Sequence, residues 1–214
     1  MIKRTLATLA SVALFASAGS AFAEDTTFTV AANTSSVSFT SDAPLETITG
    51  TAADISGTIT TDLANPTSTT ATITVPLASL RTGVDMRDEH LRGADWLGTE
   101  DGTDQDIQFT ISGVTVPDGT TFAHGTQVDA TVTGTIRING QTQDLSAPAS
   151  VGYFVLEEGQ VAYLAGPVLR VSSEFEVDIA DFGINVPGPL EMKVAETVGV
   201  SVRLTATGPS DTEG

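Results

Sequence analysis

Val128-Asp129-Ala130-Thr131-Val132-Thr133-Gly134-Thr135-Ile136-Arg137-Ile138-Asn139-Gly140 spells out a strand and a turn in residue types. Val128, Ala130, Val132, Gly134, Ile136 and Ile138 fall on one side. Asp129, Thr131, Thr133, Thr135 and Arg137 fall on the other. This period of two belongs to a strand with one dry face and one wet face. Asn139-Gly140 then supplies two residues that tolerate positive φ, as a type I′ turn requires. The stretch therefore predicts a strand running into a tight antiparallel hairpin.

The same alternation recurs outward in both directions. Ala71, Ile73, Val75 and Leu77 oppose Thr70, Thr72 and Thr74; Phe175, Val177 and Ile179 oppose Glu174, Glu176 and Asp178; Val198, Val200, Val202 and Leu204 oppose Thr197, Ser201, Arg203 and Thr205. Weaker strands are expected near 26–31, 35–40, 55–61, 106–116, 145–156 and 160–166, with turn signals at Asp118-Gly119 and Glu158-Gly159. A sheet this large with one apolar face must close on itself or pack against a second sheet. Sequential hairpins favour an all-β, antiparallel up-and-down barrel of about eight strands.

The first 23 residues stand outside this pattern. Lys3 and Arg4, an apolar run from Leu6 to Phe15 and Ala21-Phe22-Ala23 have the order of a cleaved export signal. The run is too short to span a bilayer, and no cysteine follows it to carry a lipid anchor. The expected organisation is a leader over 1–23, one domain over 24–207 and a polar, frayed tail over 208–214. The chain has 9 basic and 27 acidic residues, a net charge of −18; without Lys3 and Arg4 it is 7 − 27 = −20. That charge argues against nucleic acid and anionic membrane surfaces as partners. With no cysteine there is neither a disulfide nor thiol chemistry, and stability must come from packing and backbone hydrogen bonds.

One segment breaks the β pattern: Ser79-Leu80-Arg81-Thr82-Gly83-Val84-Asp85-Met86-Arg87-Asp88-Glu89-His90-Leu91-Arg92-Gly93-Ala94-Asp95-Trp96-Leu97. It gathers three arginines, one of two histidines and the sole tryptophan. A short helix is expected near 85–92, with Thr82 or Asp85 as N-cap. Asp85, Asp88, Glu89 and His90 could hold a metal or form an acid/base pair, but they are better read as capping the helix and pairing with Arg81, Arg87 and Arg92. Asp101, Asp104 and Asp106 lack the ligand spacing and terminal Glu of an EF-hand. His90 and His124 lie in separate segments without zinc-site spacing. There is no P-loop, dinucleotide fingerprint or nucleophile elbow. The reading is a non-enzymatic protein with no cofactor and no metal.

An eight-stranded barrel is just wide enough to be filled by side chains or to hold one small ligand. Ala71, Ala130, Gly134 and Gly199 are small candidates for the inner face; Phe39, Phe109, Phe154 and Phe175 are large ones. The small residues leave volume for a ligand, or else accommodate taper and bulges, and both readings stand at this point.

The residues also match a known pattern. Ser79-Leu80-Arg81-Thr82-Gly83, Arg87-Asp88-Glu89-His90-Leu91, Asp95-Trp96-Leu97 and Ile107-Gln108-Phe109 resemble, in order, the signature of the YceI-like family. Gly134 to Gly140 with Pro148, and Asp181-Phe182-Gly183-Ile184, resemble its later segments. Ala31 and Thr34 stand where the family's opening run has Asp and His, and Asp106 where it has Pro. The resemblance implies a lipocalin-like extended barrel, exported to the periplasm, that holds an amphiphile with a polyisoprenoid-type tail. It makes a homodimer a reasonable expectation. On that basis Phe39, Leu91, Trp96, Leu97, Phe109, Phe154, Phe175 and Phe182 are expected to line an apolar tunnel. Arg81, Arg87, His90 and Arg92 are expected to face a head group at its mouth. The alternatives are an eight-stranded outer-membrane barrel, which shares the leader and the alternation, and a solid barrel acting in stress or adhesion. Few Trp and Tyr residues for aromatic girdles argue against membrane insertion.

Overall fold

The computed structural model describes residues 25–98, 106–162 and 164–209. The expected leader over 1–23, Asp101 and Asp104, and the last residues of the expected tail lie outside them. Ten strands appear in order: β1 (Asp25–Val30), β2 (Ser36–Asp42), β3 (Thr47–Ala52), β4 (Ser56–Asp62), β5 (Asn65–Pro76), β6 (Asp106–Thr115), β7 (Thr126–Ile138), β8 (Gln141–Val161), β9 (Leu164–Asp178) and β10 (Thr197–Thr207). The described α-helix, α1, is Asp85–Leu91. All pairings are antiparallel, and the sheet runs β1-β4-β5-β6-β7-β8-β9-β10 before β10 returns to β1 through Thr29↔Thr207 and Val30↔Ala206. Eight strands thus close the expected barrel.

β2 and β3 lengthen that ring at one end. β2 pairs with β10 over Val198–Arg203, and β3 pairs with β2. A 3-10 turn at Ala32–Thr34 separates β1 from β2, so together they behave as one kinked strand along β10. The kink is sewn to Thr205: its N–H donates to Ser35 Oγ at 3.0 Å, its hydroxyl donates to the Thr34 carbonyl at 3.2 Å, and its carbonyl accepts from Ala31 N–H at 2.8 Å. A buried hydroxyl at this position meets its hydrogen-bonding needs without water. Sequence reading missed β3, because Thr-Ile-Thr-Gly-Thr-Ala offers only Ile48 as a strongly apolar signal.

The expected turn at Asn139-Gly140 forms: both residues have positive φ, 49° and 71°, and join β7 to β8. Gly119 sits at positive φ in the turn after β6. The turn expected at Glu158-Gly159 and the separate strand at 160–166 are corrected: Gly159 (φ 79°) lies inside β8 at an irregularity between Leu156 and Val161, and β8 runs on to Val161, which pairs with Leu164 of β9. The inner face of the barrel is the apolar side of each alternation. Its centre includes Phe28, Ile55, Leu77, Leu169 and Val75, nearly or wholly buried. Each such side chain contributes roughly 1.5–3 kcal/mol on burial.

Two expectations for the inner face are corrected. Phe154 is partly exposed, whereas its neighbour Tyr153 is buried, with its ring edge-on to Phe28 at 6.4 Å. The parity set by Leu145, Ala147, Ala149 and Val151 puts Tyr153 inside and Phe154 outside. Gly199 falls between the inward Val198 and Val200 and is likewise outside. Gly134 serves close approach: a Cβ there would lie 1.9 Å from the Thr110 carbonyl, beside the irregular pairing of β6 between Ile111 and Gly113.

Candidate functional site

The segment between β5 and β6 covers the barrel end where β3 diverges from β5. The outer edge of β3 meets it in one bridge, with Thr51 N–H to Arg81 O and Arg81 N–H to Thr51 O, each 2.9 Å. Covering a strand edge in this way keeps its polar groups paired. Leu77 and Leu80 anchor the approach in the core. The chain reverses at Gly83 (φ 81°) and enters α1 with Val84 as N-cap, which has no side-chain capping bond. Neither Thr82 nor Asp85 is the cap. Thr82 is instead held by Asp88, whose Oδ1 accepts from Thr82 N–H at 2.7 Å and from Thr82 Oγ1 at 2.5 Å.

Asp88 is buried, and its carboxyl is held below the usual carboxylate range. The leading cause is the Thr82 hydroxyl, opposed by desolvation and aided by Thr82 N–H and the positive charges of Arg92 and Arg81. Thr82 Oγ1 also accepts from Arg87 Nε at 2.8 Å, and Arg87 NH1 reaches Glu46 Oε1 at 2.9 Å. One line of bonds therefore runs Glu46–Arg87–Thr82–Asp88. The other two arginines hold backbone: Arg81 NH1 donates to Ala78 O and Leu80 O at 2.7 and 2.8 Å, and Arg92 NH1 donates to Leu80 O at 2.8 Å. The bonds of the three arginines go to carbonyls, to Thr82 and to Glu46, where pairing with the helix's own acids was expected.

Past α1, Leu97 N–H bonds back to Leu91 O at 3.1 Å, which turns Leu91, Trp96 and Leu97 toward the barrel. The opposite wall is a 3-10 turn at Ile179–Phe182, capped by Asp178 accepting from Ala180 N–H and closed by Gly183 in the left-handed conformation. Asn139 Nδ2 donates to Phe182 O at 3.1 Å and Gln143 Nε2 to Asp181 O at 2.6 Å, tying this turn to the β7–β8 hairpin.

Between the two walls lies an apolar cavity of about 410 Å³. Phe39, Leu91, Trp96, Leu97, Phe109 and Phe182 line it, and Arg87 and His90 stand among its polar groups with Ser41, Glu46, Thr82 and Lys193. Four of the expected residues are elsewhere. Phe154 faces outward, Phe175 sits behind Phe109 with its ring edge-on at 6.2 Å, and Arg81 and Arg92 hold the turn outside the lining. Much of the wall was not expected: Val37, Ile48, Val75, Ile107, Ile136, Ile138, Val198 and Val200 supply aliphatic surface. All but Ile48, which lies in the missed β3, fall in expected strands, but nothing in the alternation distinguishes a strand end that faces a void from one that is packed. Leu190, Lys193 and Val194 come from a segment without periodicity, where the sole signal is that Lys193 is the chain's only lysine besides Lys3.

Large apolar side chains stand exposed around the opening. Leu45, Val84, Met86, Leu190 and Met192 are each more than a third accessible, and Leu45 N–H bonds Met192 O at 2.8 Å. Val84, Met86 and Leu190 belong both to this collar and to the lining. Among the described residues no group of three or more His, Cys, Asp or Glu could hold a metal ion, and no helix is long and apolar enough to cross a membrane. His124 lies away from the cavity, its Nδ1 accepting from Val155 N–H at 2.9 Å.

A closed antiparallel barrel with an apolar interior opens at one end beneath a short helix, an architecture that leaves room for a ligand. The chain belongs to the YceI-like domain family, whose model matches residues 28–206. It is 31% identical over 134 residues to UPF0312 proteins of Pectobacterium carotovorum subsp. carotovorum and Pectobacterium atrosepticum, covering 55% of this chain and 70% of each relative. Its fold matches BcnA of Burkholderia cenocepacia (TM-score 0.65, 20% identity, 83% of this chain and 99% of that one). It also matches a polyisoprenoid-binding domain from Saccharophagus degradans implicated in plant cell wall breakdown (TM-score 0.64, 18% identity, 85% and 98%). A YceI protein of Campylobacter jejuni matches with TM-score 0.57 and 19% identity, over 76% and 85%.

Proposed function

We propose that this chain is an exported, periplasmic carrier or reservoir that holds a lipophilic amphiphile with a polyisoprenoid-type tail, without catalysis. The observation that carries this reading is the apolar cavity opening through an apolar collar. Branched aliphatic and aromatic walls suit a methyl-branched chain, and each CH₂ buried there contributes roughly 0.8 kcal/mol before ordering costs. Arg87, His90 and Lys193 are the cationic or titratable donors among the lining groups and are assigned to the head group. Arg81 and Arg92 are assigned to shaping the mouth through the carbonyls they hold. The fold kinship with a polyisoprenoid-binding domain supports the tail class.

The polarity of the barrel favours this reading over an outer-membrane barrel. Inward positions are apolar, while Glu174, Glu176, Asp129, Thr131 and Arg203 face out. A membrane barrel presents the opposite arrangement to lipid. Mass spectrometry under native conditions on protein released by osmotic shock tests both points. The expected result is a detergent-free protein carrying a prenyl lipid, quinone or fatty amide. Preparations that never carry or take up such a molecule would refute the reading. Trp96 provides a second readout, because the sole tryptophan lines the cavity and its emission should shift to the blue on filling.

A further inference from the structure

The cavity occupies one end of the barrel only. Its walls come from the late part of β5, β7 and β9, the early part of β6 and β10, and β2 and β3, with the two covering segments. Two residues deeper along the same faces, Ile73 lies below Val75 and Val202 below Val200, both buried and both outside the lining. Phe175 pairs across the sheet with Val200 and meets Phe109 edge-on at 6.2 Å, itself outside the lining. Beyond them the interior is filled: Phe28 and Tyr153 meet edge-on, with Ile55, Leu169, Ala147 and Ala206 buried around them. The void therefore has a floor partway down the barrel.

Volume sets the length of chain this blind pocket can hold. An apolar cavity of about 150 Å³ takes one benzene ring, about six carbons. On that scale a cavity of about 410 Å³ holds roughly sixteen carbons, close to three isoprene units. Carbons beyond that number stay at the collar or in water and gain little from burial, since the hydrophobic contribution scales with apolar area removed from water.

We infer that the site is selective for chain length and holds a tail of about fifteen carbons, with Ile73, Val202 and Phe175 as the floor that sets the limit. This rests on the ligand reading above and narrows it. The experiment is a binding series with geraniol, farnesol and geranylgeraniol, which share a hydroxyl head and differ by one isoprene unit each. Affinity is followed by Trp96 fluorescence and confirmed by calorimetry. It should rise about tenfold or more from the ten-carbon to the fifteen-carbon alcohol, and by less than about threefold from fifteen to twenty. A second tenfold rise from farnesol to geranylgeraniol overturns the length limit while leaving the ligand reading intact. No binding by any of the three overturns the ligand reading itself, and with it this inference. The Ile73→Ala/Val202→Ala variant, checked for a cooperative melt, should move the break to geranylgeraniol. A folded variant with the break unchanged removes these residues as the floor.

Discussion

Asp88 is a buried carboxylate whose charge is satisfied by the N–H and hydroxyl of Thr82. Its folded-state pKa is lowered from the ordinary 3.8. A depressed carboxylate stabilises the fold above its unfolded value and loses that contribution as pH falls through the folded value. Asp88→Asn should therefore melt below the parent at neutral pH, and the gap should narrow as pH drops below about 4, as followed by circular dichroism. Gly50 is the other residue whose identity is set by one neighbour. It pairs across the sheet with Phe39, and a Cβ there would lie 2.3 Å from two carbons of that ring and 3.0 Å from the Arg81 carbonyl. Gly50→Ala should cost about 1–3 kcal/mol by overpacking, read from urea denaturation. It should also weaken ligand uptake, because the displaced ring moves within the cavity wall. Both residues were visible in the sequence, Asp88 in the signature and Gly50 in a missed strand, but their partners were not.

Among elements, α1 has seven residues and cannot hold its own shape in water. It is positioned by the Thr82–Asp88 clamp and by Arg92 on the Leu80 carbonyl, so the lid is a product of side-chain bonds more than of helix propensity. The β7–β8 hairpin does similar work across the mouth. Asn139 meets the demand of the turn for positive φ and donates to Phe182 O at 3.1 Å. Asn139→Asp keeps a residue that tolerates the turn and removes that donor. It should lower stability by about 1 kcal/mol or more, because the Phe182 carbonyl loses its partner to a carboxylate. A urea midpoint lowered at unchanged slope is the expected measurement, since the barrel itself stays intact.

At the scale of the whole molecule the excess of acid acts on the fold. A net charge of −18 repels itself, and few cations relieve it on the surface. Salt screens this repulsion, with a Debye length falling from ~30 Å at ~0.01 M to ~3 Å at ~1 M. The melting temperature should rise over that range by roughly 2–4 °C, the equivalent of about 1 kcal/mol for a chain of this size. The sequence by itself determined the all-β class, the barrel closure, the turns and the segment that covers one end, because alternation and turn chemistry are local and act through the backbone. It also named six of the cavity's apolar residues: Phe39 and Phe109 as large side chains on an inward face, and Leu91, Trp96, Leu97 and Phe182 through the family resemblance. Only the tertiary structure decided that the void lies at one end above a floor, that Phe154 yields the interior to Tyr153, and that Arg81 and Arg92 serve backbone carbonyls. Those outcomes depend on which strand ends diverge and what crosses the gap between them, and contacts between residues distant along the chain leave no period in it.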